Sequence, residues 1–364
     1  MFAVDTKQAT VVAVAFAIPM NTMIRLICTL FFSLVLCTLY AQQEQARPRQ
    51  GEGVYAFLKR HHRTGKAYYD AFVELNRGKL GKNNSLKMGV GYTLPPLRDA
   101  SSAAGASSGS SSNAIGRRVH EPLFGKKLAD VEIKTDRLKD ACFYVVSGHG
   151  GPDPGAIGKV GNVELHEDEY AYDVALRLAR NLMMEGAKVH IIIQDAKDGI
   201  RDDKYLSNSK RETCMGDPIP LNQVQRLKQR SDKINRLYKE DSKNYKYCRS
   251  VFIHIDSRSK KQQTDVYFYY SDQKPASKQL ATRMKNTFEQ KYKRHQPNRG
   301  FSGTVSARSL YVLNNTTPVG IFTELGNLQN TFDQRRFVIS DNRQALANWM
   351  CEAFRLDYEE TLKK

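Results

Sequence analysis

Three apolar runs frame this chain. Cys142-Phe143-Tyr144-Val145-Val146 is apolar on both faces, the pattern of a strand buried on both sides, and it runs into Gly148-His149-Gly150-Gly151-Pro152-Asp153-Pro154-Gly155-Ala156. Arg249 to Ser257 holds a second, short apolar strand pattern that ends in His254, and Pro318 to Asn327 is a third, with Glu324 set between apolar neighbours. After the first run, Tyr170, Val174, Leu176, Leu178, Ala179, Leu182 and Met183 predict a helix whose start is crowded by Glu164, Glu167, Asp168 and Glu169. Strands alternating with helical patterns predict an α/β fold with a mixed, mostly parallel central sheet flanked by helices.

In open α/β sheets, ligands collect outside the carboxyl ends of the strands. His149 and His254 both stand at such ends, and glycines on both sides of His149 let the chain turn sharply and leave the imidazole uncovered. Alone, a histidine in a glycine-rich turn is more commonly a hydrogen-bonded core residue, and acids in a first helical turn commonly complement the helix dipole. Together, two histidines and one glutamate make a recurrent donor set for catalytic zinc, with a fourth position left for water. Glu324 is then a candidate general base. His166 and His190 read as ordinary surface or strand-start histidines.

These segments, taken in order, resemble a known family. From about Val131 to Tyr358 the chain resembles the zinc-dependent N-acetylmuramoyl-L-alanine amidases of the cell-wall hydrolase type. The match rests on the His149 turn, on a glutamate opening the next helix, on Leu227 to Asn235 followed by Phe252-Ile253-His254, and on Thr323-Glu324-Leu325-Gly326-Asn327. Ser147 and Asn327 depart from the family pattern, as does the stretch Ile253-His254-Ile255-Asp256. The resemblance implies one Zn2+ per chain, held by His149, Glu167 and His254, with Glu324 as the catalytic base. Glu164 competes with Glu167 for the second ligand, and counting back eight residues from Ala175-Leu176-Arg177-Leu178 favours Glu167, after a longer loop beyond Gly158. The implied reaction is hydrolysis of the amide between N-acetylmuramic acid and L-alanine in peptidoglycan, with an activator protein as an optional partner. Two rival readings stay open: a non-catalytic peptidoglycan-binding protein, and a zinc carboxypeptidase, which needs a carboxylate-clamping arginine that the sequence does not single out.

The rest of the chain extends this picture. Residues 1–41 end in an apolar run from Ile24 to Tyr40 that reads as a secretory signal peptide, which predicts export to the periplasm or cell envelope and no stable membrane insertion after cleavage. Residues 51–96 resemble a LysM module, a small α+β glycan-binding fold, chiefly through Asn76 and Gly89-Val90-Gly91-Tyr92-Thr93-Leu94-Pro95. Residues 97–120 include a Ser/Ala/Gly stretch that reads as a flexible linker, and 130–360 form the catalytic domain. A net charge of +18 suggests nucleic acid first, but the exported setting, the spread of the basic residues and the lack of a nucleic-acid motif favour an anionic cell wall or membrane surface instead. Cys142 and Cys248 open two of the strands; strand spacing of about 4.8 Å permits a bridge, while buried free thiols are the commoner state.

Overall fold

The computed structural model describes residues 44–50, 52–63, 66–81, 84–96 and 115–363. Residues 1–41, read from the sequence as a signal peptide, and the Ser/Ala/Gly stretch lie outside the described residues. The chain divides into two compact units, Met1–Ala103 and Ala104–Lys364.

In the smaller unit, β1 (Gln45–Ala46) is followed by α1 (Val54–Arg60), α2 (Lys66–Leu75) and β2 (Tyr92–Thr93), and the two strands pair antiparallel. Phe57, Phe72 and Tyr92 form a ring cluster with centroids 5.6–6.2 Å apart, joined by Val54, Leu58 and Leu94. Asn76 is buried where α2 ends: its Nδ2 donates to Phe72 O (2.9 Å) and Thr93 O (2.8 Å), and its Oδ1 accepts from Thr93 N (2.9 Å). One amide side chain thus ties helix to strand, which a core this thin requires. The unit begins upstream of Gly51, because β1 supplies the partner of β2.

The larger unit begins with β3 (Arg118–His120) and β4 (Asp130–Glu132), paired antiparallel, so the stretch assigned to the linker ends in a strand that belongs to this unit. Then follow β5 (Ala141–Ser147), β6 (Ile157–Val160), β7 (Val163–His166), α3 (Glu167–Met184), β8 (Lys188–Ile191) and three short strands, β9 (Ile193–Gln194), β10 (Thr213–Cys214) and β11 (Asp217–Pro218). After α4 (Gln223–Asp241) come β12 (Tyr247–Asp256), β13 (Tyr267–Tyr270), α5 (Pro275–His295), β14 (Thr304–Ala307), α6 (Tyr311–Asn315), β15 (Val319–Asn327), α7 (Thr331–Val338) and α8 (Ser340–Leu362). The central sheet has the order β14-β13-β15-β12-β5-β8 and is parallel except where β13 meets β15.

The continuous apolar run of β5 has a direct cause. Phe143 and Val145 point into a core shared with α3, α5 and α8, while Cys142, Tyr144 and Val146 point into a second core under α4 and α6. Side chains alternate across a strand, so a sheet covered on both faces needs apolar residues at every position. Each fully buried Val or Phe here contributes about 1.5–3 kcal/mol of transfer free energy. Cys142 and Cys248 are register partners on β5 and β12, and both thiols are free. Among the described residues no helix is long and apolar enough to cross a membrane.

Candidate active site

β5 and β12 run side by side and deliver their histidines to one place. Gly148 N donates to Ile253 O at 2.8 Å, which carries the ladder past the last residue of β5 and sets His149 beside His254. The rings meet edge to face with centroids 4.8 Å apart. A Cβ on Gly148 would collide with the His254 imidazole, and one on Gly155, where φ is +67°, would collide with Glu167 and His149. Glycine at these two positions is therefore a matter of space as well as of turn geometry.

Glu167 opens α3, and its buried carboxylate sits between the two rings. Oε1 lies 3.2 Å from His149 Nε2 and 3.0 Å from His254 Nδ1, and it accepts Ile255 N at 3.0 Å; Oε2 accepts Ala156 N at 2.8 Å. Donor atoms of His149, Glu167 and His254 all lie within 4.8 Å of one another, the convergence a metal ion needs.

The outer contacts hold the two rings in place. His149 Nδ1 pairs with Asp153 Oδ2 at 3.0 Å, and the same oxygen accepts Arg226 Nη2 from α4 at 2.7 Å. Arg230, also on α4, donates to the carbonyls of Gly148 and His149. His254 stacks on Phe322 with centroids 4.1 Å apart. Glu324 stands opposite His254 as its register partner on β15, and its buried Oε2 has no hydrogen-bond partner.

Electrostatics separate these groups. Burial pushes His254 down to about 4 against its hydrogen bond to Glu167, which leaves a neutral imidazole at neutral pH. Burial would also lower His149, but the charge of Glu167 and the hydrogen bond to Asp153 outweigh it and push that ring up to about 10. The same carboxylates attract any cation placed there. Burial, then the charges of Glu167 and Asp256, push Glu324 well above the usual carboxylate range.

Glu164 is elsewhere. The expected loop after Gly158 is the antiparallel hairpin β6–β7, so Glu164 lies outside α3, half-exposed, where it pairs with Lys159 at 3.2 Å and His166 at 3.3 Å. His166 occupies the position before α3, and His190 pairs with buried Asp241 at 2.9 Å rather than starting a strand at the surface. Two features escaped the sequence reading. Arg226 as a clamp on Asp153 has no local signal. Asp168 and Glu169 do not merely face the helix dipole: they are buried with Glu212, a residue of a distant loop, and burial with the charges of Glu169 and Glu212 pushes Asp168 up to about 8.

The family described as N-acetylmuramoyl-L-alanine amidase matches residues 144–355, more than half of the chain, and spans every element that carries this site. The chain belongs to that family. It is a hydrolase of the cell wall, and its substrate is the amide bond that joins N-acetylmuramic acid to L-alanine in peptidoglycan. Solved structures with a similar chain path include the amidase AmiC2 of Nostoc punctiforme, 19% identical over 62% of this chain and 98% of that one, TM-score 0.41. Others are an N-acetylmuramoyl-L-alanine amidase of Clostridium difficile 630, at 20% identity over 60% of this chain and 96% of that one with TM-score 0.43, and the catalytic domain of the amidase CwlV from Bacillus (Paenibacillus) polymyxa var. colistinus, at 20% over 59% and 95% with TM-score 0.40. Curated proteins give no match. The amidase fold is a mixed, mostly parallel sheet flanked by helices, as the apolar runs predict.

Proposed function

We propose that His149, Glu167 and His254 hold one zinc ion per chain and that Glu324 moves the proton during amide hydrolysis. The convergence of two imidazoles and a carboxylate, faced by an acid with an unpartnered oxygen, carries this reading. Bound there, Zn2+ supplies Lewis-acid polarisation of the scissile carbonyl and makes a nearby water acidic, from about 15.7 toward about 7. Glu324 accepts a proton from the attacking water as its oxygen bonds to the carbonyl carbon. It then returns that proton to the departing nitrogen, because a neutral amine leaves where an amide anion does not. Burial and the neighbouring carboxylates raise its proton affinity, and a cation held by His149, Glu167 and His254 would offset that rise and leave the carboxylate able to take the water's proton.

Residues upstream are assigned supporting roles: 1–41 direct export to the periplasm or envelope, and the small unit containing 51–96 grips glycan strands as a LysM-like module. Digestion of purified sacculi followed by mass analysis tests the reaction. Intact stem peptides freed from the glycan are the expected product. Shortened peptides still attached to glycan would establish the carboxypeptidase instead, and no product would establish a binding protein.

A further inference from the structure

A second group of acids lies behind the His149 turn. Asp168 and Glu169, in the first turn of α3, meet Glu212 from the residue just before β10, and one carboxylate oxygen of each lies within 4.8 Å of the other two. All three are buried, at 3%, 2% and 7% exposure. Asp168 Oδ1 accepts Glu169 N at 3.0 Å, but Oδ2 is buried with no partner. Positive charge is scarce: Arg201 reaches Glu169 at 2.8 Å, and among the described residues no lysine or arginine pairs with Asp168 or Glu212.

Proton counting sharpens the deficit. Ser209 Oγ lies 2.7 Å from Glu212 Oε1 and 2.8 Å from Asp195 Oδ2. A hydroxyl has one proton, so it donates to only one of these carboxylates, and the other contact sets lone pairs against each other. Arg211 Nη2 reaches Asp195 Oδ2 at 3.2 Å, so the hydroxyl proton can go to Glu212, and the shortage of positive charge falls on Asp168 and Glu212, which are buried without a cationic partner among the described residues. The Cys142–His190–Asp241 cluster shows no such shortage, because Asp241 accepts from Lys188 at 2.8 Å and from His190 and Tyr144 at 2.9 Å.

We propose that Asp168, Glu169 and Glu212 form a binding site for one hard divalent cation, Ca2+ foremost, separate from the histidine cluster. All-oxygen, carboxylate-rich sites select hard cations over zinc. At about 2.4 Å from each oxygen, ligands on opposite sides of a Ca2+ stand about 4.8 Å apart, so these atoms can share one ion. Glu212 Oε2 also accepts Gly151 N at 2.8 Å, and Glu169 Oε1 accepts Ser209 N at 2.5 Å. An ion here joins the start of α3, the loop before β10 and the turn that carries His149. This site does not rest on the zinc assignment.

The test uses the full-length protein, stripped with a chelator, reloaded with zinc and then titrated separately with Ca2+ and Mg2+. Calorimetric heat, the thermal midpoint and zinc content are followed together. Wild type and His254→Ala are expected to bind one Ca2+ per chain with a rise of several degrees in Tm. Asp168→Asn is expected to lose both responses while keeping zinc, and Glu212→Gln, which retains an acceptor for Gly151, gives the same reading should the first variant misfold. Absence of heat and of any Tm shift in wild type would mean that a proton on Asp168 meets the deficit, and would overturn the site. Equal Ca2+ binding by wild type and Asp168→Asn would overturn it as well.

Discussion

His254 and Glu324 are register partners on the adjacent parallel strands β12 and β15. Their separation is therefore set by the backbone ladder rather than by a loop, and both side chains leave the sheet on the face covered by α4 and α6. A substitution at one position can remove a chemical group without moving the other, which makes the pair suitable for separating metal binding from proton transfer.

Glu324→Gln keeps the shape of the side chain but removes its basicity. Zinc content should stay at the wild-type level while kcat falls by roughly 10²–10⁴. Stopped assays on a soluble muropeptide, run beside elemental analysis, check this, and near-normal turnover would remove Glu324 from its role.

Removing either ring should empty the proposed metal site. His149→Ala and His254→Ala are expected to purify with far less than the about one zinc per chain of wild type. Glu167→Gln should follow them and Glu164→Gln should not, since Glu164 faces Lys159 across a hairpin. Full zinc in either histidine variant contradicts the assignment.

Arg226 acts through Asp153 on His149. Arg226→Ala should weaken zinc affinity by about 10–100-fold in a chelator competition, with partial recovery in Arg226→Lys. An unchanged affinity would mean that Asp153 orients the ring unaided.

Acid stability should depend on Asp241. Burial raises its pKa, but the hydrogen bond and charge of His190, followed by those of Lys188, outweigh it and hold the carboxyl well below the usual range. The folded-state pKa is lowered, so the unfolded chain takes up the proton first. The stabilisation is complete above about pH 5 and is lost as pH falls through about 3.9 toward the folded value. Urea midpoints of wild type should decline over that window, while Asp241→Asn, less stable at pH 7, should decline less.

Deleting residues 44–96 should weaken pull-down by purified sacculi and leave cleavage of a small soluble fragment unchanged, because a tethered binding unit raises local substrate concentration without touching the chemistry. Equal pull-down of the two forms would refute a glycan-binding role.

The sequence exposed those parts of the site that depend on strands. β5 is buried on both faces and shows as an unbroken apolar run, β12 and β15 carry shorter ones at Val251-Phe252-Ile253 and Ile321-Phe322, and a histidine or acid just past such a run stands out. What it hid depends on pairing across long separations. The hairpin β6–β7 that carries Glu164 away from the helix is only a few residues of mixed polarity. Glu212 looks like one more charge in a basic loop until the fold buries it against Asp168. The reversed direction of β13 is likewise invisible locally, because it follows from where β15 inserts and not from any pattern in Tyr267–Tyr270.

That insertion has a further consequence for how the enzyme comes into being. Among the described residues β15 is the last strand in sequence, yet it sits between β12 and β13, near the middle of the sheet. A nascent or partly folded chain can bring His149 and His254 together through β5 and β12 alone, but it has no Glu324 beside them until the final strand is threaded into place. Non-local pairing of this kind comes late and slowly. The site is thus assembled in two stages: the histidines can meet as soon as β5 and β12 pair, and the acid joins them only once the whole domain has closed.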